Sequence, residues 1–298
     1  MAFIYTYRNG ATVTVFAPYD CANKCPFCIN KKEYVDDSAF DIEAVKQSMR
    51  VMNEVTPYCD FVITGGEPLA DIPSFLELID LIRYFNCNGA NHKLYVNTTL
   101  PIKEEDIDTL NACDDVITGF NISRHLKRYV QECPDEWIGK LTIPVRINCV
   151  LYNDLFNLDK VPWLIERFEK FDNVTGFQFR DNYIGVGPQN LFDWETNPVL
   201  HKLEEKICPY GGLKVFTDGF FRYGVQLREN VVFHRTSCSS KLILNESQDV
   251  FIGDVIINPK GEILDDWNEH GSLLDVKAYA EAREIYAPMK HTFVPDKK

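Results

Sequence analysis

Between residues 12 and 180, short runs rich in Val, Ile, Phe and Tyr alternate with longer amphipathic stretches. The runs at 12–17, 60–64, 93–97, 115–122, 144–151 and 175–180 read as buried strands. Between them, 41–55 places Ile42, Val45, Met49 and Met52 on one helical face. The stretch 72–85 does the same with Phe75, Leu76, Leu78, Ile79 and Ile82. Acidic residues open 103–113, as suits a helix N-terminus, and 155–171 carries Leu158, Val161, Leu164, Ile165 and Phe168. Strands that alternate with helices become parallel strands joined by right-handed crossovers. Six such units are too few for a closed eight-stranded barrel. The expected fold is α/β, a partial (β/α)6 TIM-type barrel, with a flat doubly wound sheet as the alternative. In either, the active site belongs at the C-terminal ends of the strands.

The pattern changes near residue 182. A Gly- and Pro-containing stretch at 182–190 precedes a helical pattern at 197–207. Short β runs follow at 213–217, 220–226, 231–234, 250–257 and 262–264. Asp218-Gly219 and Pro259-Lys260-Gly261 between them are turn signals. A closing helix is expected at 273–286. The expected organisation is a barrel over 1–182 and a C-terminal α+β hairpin-and-helix extension over 183–298 that covers the barrel mouth.

Composition narrows the function. The chain has 298 residues and a net charge of −13, so its surface repels phosphate backbones and general nucleic-acid binding is not expected. No apolar run approaches the roughly 18 residues of a membrane span. Arg8, Asn9 and Gly10 fall where a signal peptide would need its apolar stretch. The expected location is the cytoplasm, where ten cysteines serve as thiols, metal ligands or catalysts rather than as disulfides.

Three of those cysteines fall within eight residues, Cys21-Ala22-Asn23-Lys24-Cys25-Pro26-Phe27-Cys28, directly after the first strand. Three thiolates in one loop suit three corners of an iron–sulfur cubane and leave the fourth iron open to a small molecule. A zinc site favours four ligands in C-x2-C pairs, and no His or fourth Cys is close in sequence. Unrelated buried thiols are the remaining reading. Cys59, Cys87, Cys113, Cys133, Cys149, Cys208 and Cys238 are scattered and read mostly as small buried hydrophobes. The second motif, Thr64-Gly65-Gly66-Glu67-Pro68, ends the second strand. Its glycines permit close backbone approach to a ligand, and its carboxylate suits an ammonium group, although such a sequence is also a good turn.

The C-x3-C-x2-C loop, Phe27 before its last cysteine, and Gly-Gly-Glu-Pro after strand two together resemble the radical S-adenosylmethionine (SAM, AdoMet) superfamily over roughly residues 10–180. The resemblance implies that Cys21, Cys25 and Cys28 hold one 4Fe–4S cluster beside Phe27, and that SAM chelates the open iron. Gly65, Gly66 and Glu67 would bind the SAM amine. Members often carry a Ser/Thr-Asn-Gly turn after strand three; here it reads Val96-Asn97-Thr98-Thr99, with Asn97 or Thr98 toward the ribose. Ser123 stands where a hydroxyl commonly meets the ribose or carboxylate. Strand five, Val145-Arg146-Ile147-Asn148, is similar to that of the molybdenum-cofactor cyclase and viperin branches, and Arg146 would pair with the SAM carboxylate. The implied activity is reductive cleavage of SAM to methionine and a 5′-deoxyadenosyl radical, which takes hydrogen from a substrate. An oxygen-sensitive enzyme of this kind needs an electron donor such as flavodoxin or ferredoxin.

Arg180 ends strand six, and Ser123–Arg128 is locally basic in an acidic chain. Arg124, with Lys127, and Arg180 are therefore the candidate catalytic residues at the mouth, facing a small anionic or nucleotide-like substrate. The segment from Cys238 to Glu262 looks like the hairpin of a SPASM or twitch extension. Only Cys208 and Cys238 lie beyond residue 150, whereas a further cluster wants about four cysteines, so a single cluster is expected. A peptide-modifying maturase, a glycyl-radical activating enzyme and a non-catalytic iron–sulfur or zinc module are the alternative readings.

Overall fold

The computed structural model describes residues 3–7, 10–17, 21–28, 40–56, 58–126, 132–150, 160–180, 214–217, 222–228, 230–236, 241–267 and 271–285. Six strands carry the first part of the fold: β2 (Ala11–Phe16), β3 (Cys59–Thr64), β4 (Lys93–Thr98), β5 (Ile117–Ser123), β6 (Val145–Val150) and β7 (Val174–Arg180), after a short β1 (Ile4–Tyr7). Helices α1 (Ile42–Val55), α2 (Ile72–Cys87), α3 (Asp106–Asn111), α4 (Asp135–Gly139) and α5 (Lys160–Glu169) lie between them. Asp41 caps α1 by accepting the Ala44 N–H at 3.0 Å, and Asp71 caps α2 through Ser74, satisfying first-turn donors that a helix leaves open.

All six strands pair in parallel and in sequence order. The α/β alternation legible in the sequence is thus borne out as the parallel sheet of a partial β/α barrel. The helix expected at 103–113 is shorter, because Glu104 and Glu105 form a turn before α3; α4 and β1 are too short to show a sequence period.

The later residues extend this sheet and, with β1, build a second one of four strands. In chain order these strands are β8 (Lys214–Thr217), β9 (Arg222–Arg228), β10 (Val231–Thr236), β11 (Lys241–Ile243), β12 (Val250–Ile252), β13 (Asp254–Ile257), β14 (Ile263–Leu264) and β15 (Arg283–Ile285). Strand β13 pairs in parallel with β2, and β10 pairs in parallel with β7, so late strands flank both sides of the early six. The hairpin expected at Asp218-Gly219 appears as antiparallel pairing of β8 with β9. The Pro259-Lys260-Gly261 turn joins β13 to β14. Gly261 has φ +77°, and a Cβ there would stand 2.5 Å from the Ala44 backbone of α1, so this turn needs glycine. The run expected as one strand at 250–257 is two strands in different sheets: β12 joins β11, β1 and β15, whereas β13 joins the large sheet. The closing helix expected at 273–286 is only α6 (Val276–Ala280), capped by Asp275, and the chain then extends into β15. The helical pattern at 197–207 lies outside the described residues.

Each early strand has one apolar face. Val13, Val15, Phe61, Ile63, Val96, Phe120, Ile122, Ile147, Phe177 and Phe179 form one buried cluster with Val45, Met49, Phe75, Ile79, Ile82, Leu164 and Phe168 of the helices. Each such side chain contributes about 1.5–3 kcal/mol by leaving water. The other face alternates with it, and there Thr12, Thr14, Asp60, Asn121, Arg146 and Gln178 are buried. Parallel strands covered on both faces ordinarily read as continuous apolar runs. A buried polar face is therefore a feature to be explained by function.

His92 belongs to the core. Its Nδ1 accepts the Cys59 N–H at 2.9 Å and its Nε2 donates to Asn53 Oδ1 at 2.7 Å, which fixes a neutral tautomer. Burial lowers its pKa to about 4. The unfolded chain, with an ordinary imidazole, binds the extra proton first as pH falls. The apoprotein should thus keep this contribution above about pH 6.5 and lose about 2 kcal/mol of it by about pH 5. Urea unfolding at pH 7 and pH 5 measures the loss, and His92→Gln should flatten that slope. An unflattened slope would assign the titration to other groups.

Candidate active site

The cysteine loop leaves β2 at the C-terminal end of the sheet. Ala17 N–H donates to the Thr64 carbonyl at 2.8 Å, which carries the β2–β3 pairing one step into the loops. Cys21, Cys25 and Cys28 are each half-buried, and Cys28 N–H closes a turn on the Cys25 carbonyl. Two contacts dock this loop on its neighbours. Asn23, buried between two of the cysteines, donates from Nδ2 to Thr99 Oγ1 at 3.3 Å. Phe27 packs against the His125 ring, with centroids 4.6 Å apart. Among the described residues, no three His, Cys, Asp or Glu side chains form a group able to hold one metal ion. A single zinc draws its thiolates to about 2.3 Å of one point, whereas a cubane takes one thiolate at each of three corners. Three half-buried thiols on one loop fit the cubane's donor set.

The Gly-Gly-Glu-Pro loop follows β3. Gly65 has φ +139°, a conformation that side chains disfavour, so this glycine is demanded by the turn. Glu67 is 3% exposed. Its carboxylate accepts from Leu69 N–H and the Thr98 hydroxyl on one oxygen, and from Thr99 N–H (2.8 Å) and the Thr99 hydroxyl (2.7 Å) on the other. Burial pushes the carboxyl pKa up, and these four donors pull against it. The expectation from sequence was a carboxylate aimed at the SAM amine. The structure instead ties it to the turn after β4. That turn is strained: Leu100, fully buried, has φ +55°, and its N–H donates to Thr98 Oγ1 at 2.7 Å. A non-glycine residue held there persists only where its surroundings over-determine it.

The polar face of the sheet is arranged in rows. Asn97, Asn121 and Arg146 are register partners across β4, β5 and β6, and Asn121 Nδ2 donates to Asn97 Oδ1 at 2.8 Å. Ser123, Asn148 and Gln178 form the next row toward the strand ends. Arg180 lies one row further, paired with Val150 and bonded from Nε and Nη2 to Gln178 Oε1 at 3.1 and 3.0 Å. Arg146 is 4% exposed and Arg180 is half-buried. Because Arg146 faces Gly176, Arg180 stands four residues, about 13 Å, nearer the mouth.

Arg124 departs from its expected place. It is fully buried rather than at an open mouth. Its Nη1 donates to the carbonyls of Thr99 and Ser123 at 2.9 and 2.8 Å, and its Nη2 lies 3.2 Å from Cys133 Sγ. Glu132, 3.8 Å from Nε, balances its charge. A guanidinium that satisfies backbone carbonyls holds loops together; it is not free to neutralise a substrate. The basic run misleads because charge alone does not report direction. Lys127 and Arg128 lie outside the described residues. Cys59, Cys113, Cys133 and Cys149 are buried as expected, and Cys87 is exposed.

Sequence reading gives no role to Asn23, Thr99 or Gln178. Their signals are positional. Asn23 sits inside the cysteine loop, Thr99 follows β4 at the mouth, and Gln178 shares Arg180's face by the two-residue period of a strand.

Comparison with known proteins agrees with this geometry. Residues 9–132 match the family profile of a 4Fe-4S single cluster domain. Native anSMEcpe with bound AdoMet and the Kp18Cys peptide is similar in structure, at TM-score 0.51 and 21% identity over 67% of this chain and 60% of that one. The same protein with AdoMet and the Cp18Cys peptide gives TM-score 0.52 at 19% identity, again over 67% of this chain and 60% of that one. This chain therefore spans about 60% of the length of the solved chains it matches. No curated protein matches the sequence. The profile match covers the segment with the cysteine loop, and the solved structures share the fold. Among the described residues, no helix is long and apolar enough to cross a membrane.

Proposed function

We propose that this chain is a radical SAM enzyme of the cytoplasm that acts on a small, polar, anionic substrate. The observation that supports it most is the meeting of three elements at one end of the sheet: the cysteine loop, the Gly-Gly-Glu-Pro loop, and a buried polar face carrying two arginines. A 4Fe–4S cluster on Cys21, Cys25 and Cys28, once loaded, supplies the electron that cleaves AdoMet to methionine and a 5′-deoxyadenosyl radical. The chain's own residues then bind and orient. Gly65 and Gly66 offer backbone to the methionine end, on a loop held by Glu67. Arg146, deep among Asn97, Asn121 and Ser123, suits the AdoMet carboxylate in a water-poor setting. Phe27 shields the loop from water by packing on His125. Arg180, nearer the mouth and bonded to Gln178, is the residue this reading assigns to the substrate's anionic group. An electron donor such as flavodoxin or ferredoxin completes the reading. The C-terminal strands, read as the 183–298 extension, frame the substrate side of the barrel.

A peptide substrate is the second reading, favoured by one finding: the similar solved structures hold peptides. Anaerobically reconstituted, reduced protein should show an electron paramagnetic signal that changes when AdoMet is added. An unchanged signal would sink the radical SAM reading. Deuterium should then pass into 5′-deoxyadenosine from a labelled small-metabolite extract. Transfer only from a labelled peptide digest would exchange the first substrate reading for the second.

A further inference from the structure

Thr99 joins parts of the mouth that are far apart in sequence. Its hydroxyl has one proton and gives it to Glu67 Oε2 at 2.7 Å, so its lone pair is left to accept from Asn23 Nδ2 at 3.3 Å. Its N–H donates to the same Glu67 oxygen at 2.8 Å, and its carbonyl accepts from Arg124 at 2.9 Å. One residue thereby touches the cysteine loop through Asn23, the Gly-Gly-Glu-Pro loop through Glu67, and the end of β5 through Arg124. The next residue, Leu100, holds the strained φ of +55°, so the turn that presents Thr99 has been retained against a local energetic cost. Hydrogen-bond directions run consistently along the chain from Asn23 to Thr99 to Glu67, and all three are withdrawn from bulk water enough for such bonds to keep their strength.

We infer that Thr99 is a positioning residue, which fixes the cysteine loop against the Gly-Gly-Glu-Pro loop and so sets the spacing between the cluster and AdoMet. The inference rests on the radical SAM reading above. It assigns to a hydroxyl after β4 a job that neither motif performs alone. The cysteines can gather iron wherever their loop sits, and the glycines can approach a ligand wherever theirs sits. Chelation of an open iron by an AdoMet held on the second loop requires the two loops to be in register with one another. A misplacement of about 1 Å in such an arrangement costs about 100-fold in catalysis.

The test compares Thr99→Val, which keeps shape and the backbone donor but removes the hydroxyl, with Thr99→Ser, which restores it. Both are reconstituted anaerobically with iron and sulfide, and AdoMet affinity is read from the change in the reduced cluster's electron paramagnetic signal. Thr99→Val should retain about four irons per chain yet bind AdoMet about tenfold more weakly, and Thr99→Ser should recover most of that loss. Asn23→Ala should weaken binding as well, and the Asn23→Ala, Thr99→Val double variant should be no weaker than the worse single variant, because both remove one link. Urea unfolding of the apoproteins separates this from general damage: affinity should fall in Thr99→Val even after correction for any unfolded fraction. Wild-type affinity in Thr99→Val, or independent additive losses in the double variant, would overturn the inference while leaving the radical SAM reading intact. No AdoMet response in the wild-type protein itself would overturn both.

Discussion

Replacing Cys21, Cys25 and Cys28 together by Ala is expected to reduce bound iron from about four per chain to none after anaerobic reconstitution. The AdoMet-dependent paramagnetic signal should vanish with it, and so should any AdoMet cleavage. The fold should survive, because the three side chains are only half-buried and the loop keeps Asn23 on Thr99 and Phe27 on His125. The cost in apoprotein stability should stay below about 1 kcal/mol, as for substitutions away from the core. Replacing Cys208 and Cys238 instead should leave the iron unchanged. Loss of a cluster's worth of iron in that second variant would show that the cysteine loop is not the whole iron site.

Glu67→Ala is expected to destabilise the apoprotein by about 3 kcal/mol, which urea unfolding reads without any cofactor. Removal of the carboxylate leaves four donors without their acceptor: Leu69 N–H, Thr99 N–H and the hydroxyls of Thr98 and Thr99. Buried donors left this way cost more than the bond itself gained. The strained Leu100 also loses what holds its turn. Glu67→Gln should fall between, since a carboxamide keeps one accepting oxygen but turns an N–H₂ toward donors. Wild-type stability in Glu67→Ala would remove the clamp and return this carboxylate to direct contact with a ligand. The comparison matters, because the resemblance read from sequence implies weaker AdoMet binding with iron content intact, whereas the clamp adds a loss of stability in the empty protein.

The contrast shows what a sequence displays and what it hides. Period and composition were enough for β2 to β7 and for α1, α2, α3 and α5, because burying one face of each element requires the apolar spacing that a reader can see. The three cysteines were legible because their spacing has few other uses. Glu67 and Arg124 were recognisable as unusual, yet their partners were not. Which groups meet across a mouth depends on loop geometry, and the donors at Thr98 and Thr99 lie more than thirty residues from Glu67. A guanidinium beside a basic run looks solvated until the carbonyls of Thr99 and Ser123 are seen around it. The sheet partners of the late strands escaped for a related reason. Nothing in 250–257 tells that one half will join β1 and the other β2.

That last arrangement bears on how the protein comes into being. Strand β2 at Ala11–Phe16 has its neighbour β13 at Asp254–Ile257, and β7 at Val174–Arg180 has its neighbour β10 at Val231–Thr236. A ribosome adding about 5–20 residues per second needs roughly 12–50 s between the first pair of strands. During that interval the nascent β/α units present an unpaired strand edge on the β2 side, a template for other chains. A partial barrel completed from its far end thus makes synthesis itself the vulnerable stage. Slow translation or early termination before Asp254 should send this chain toward aggregates or chaperones rather than toward a smaller working barrel.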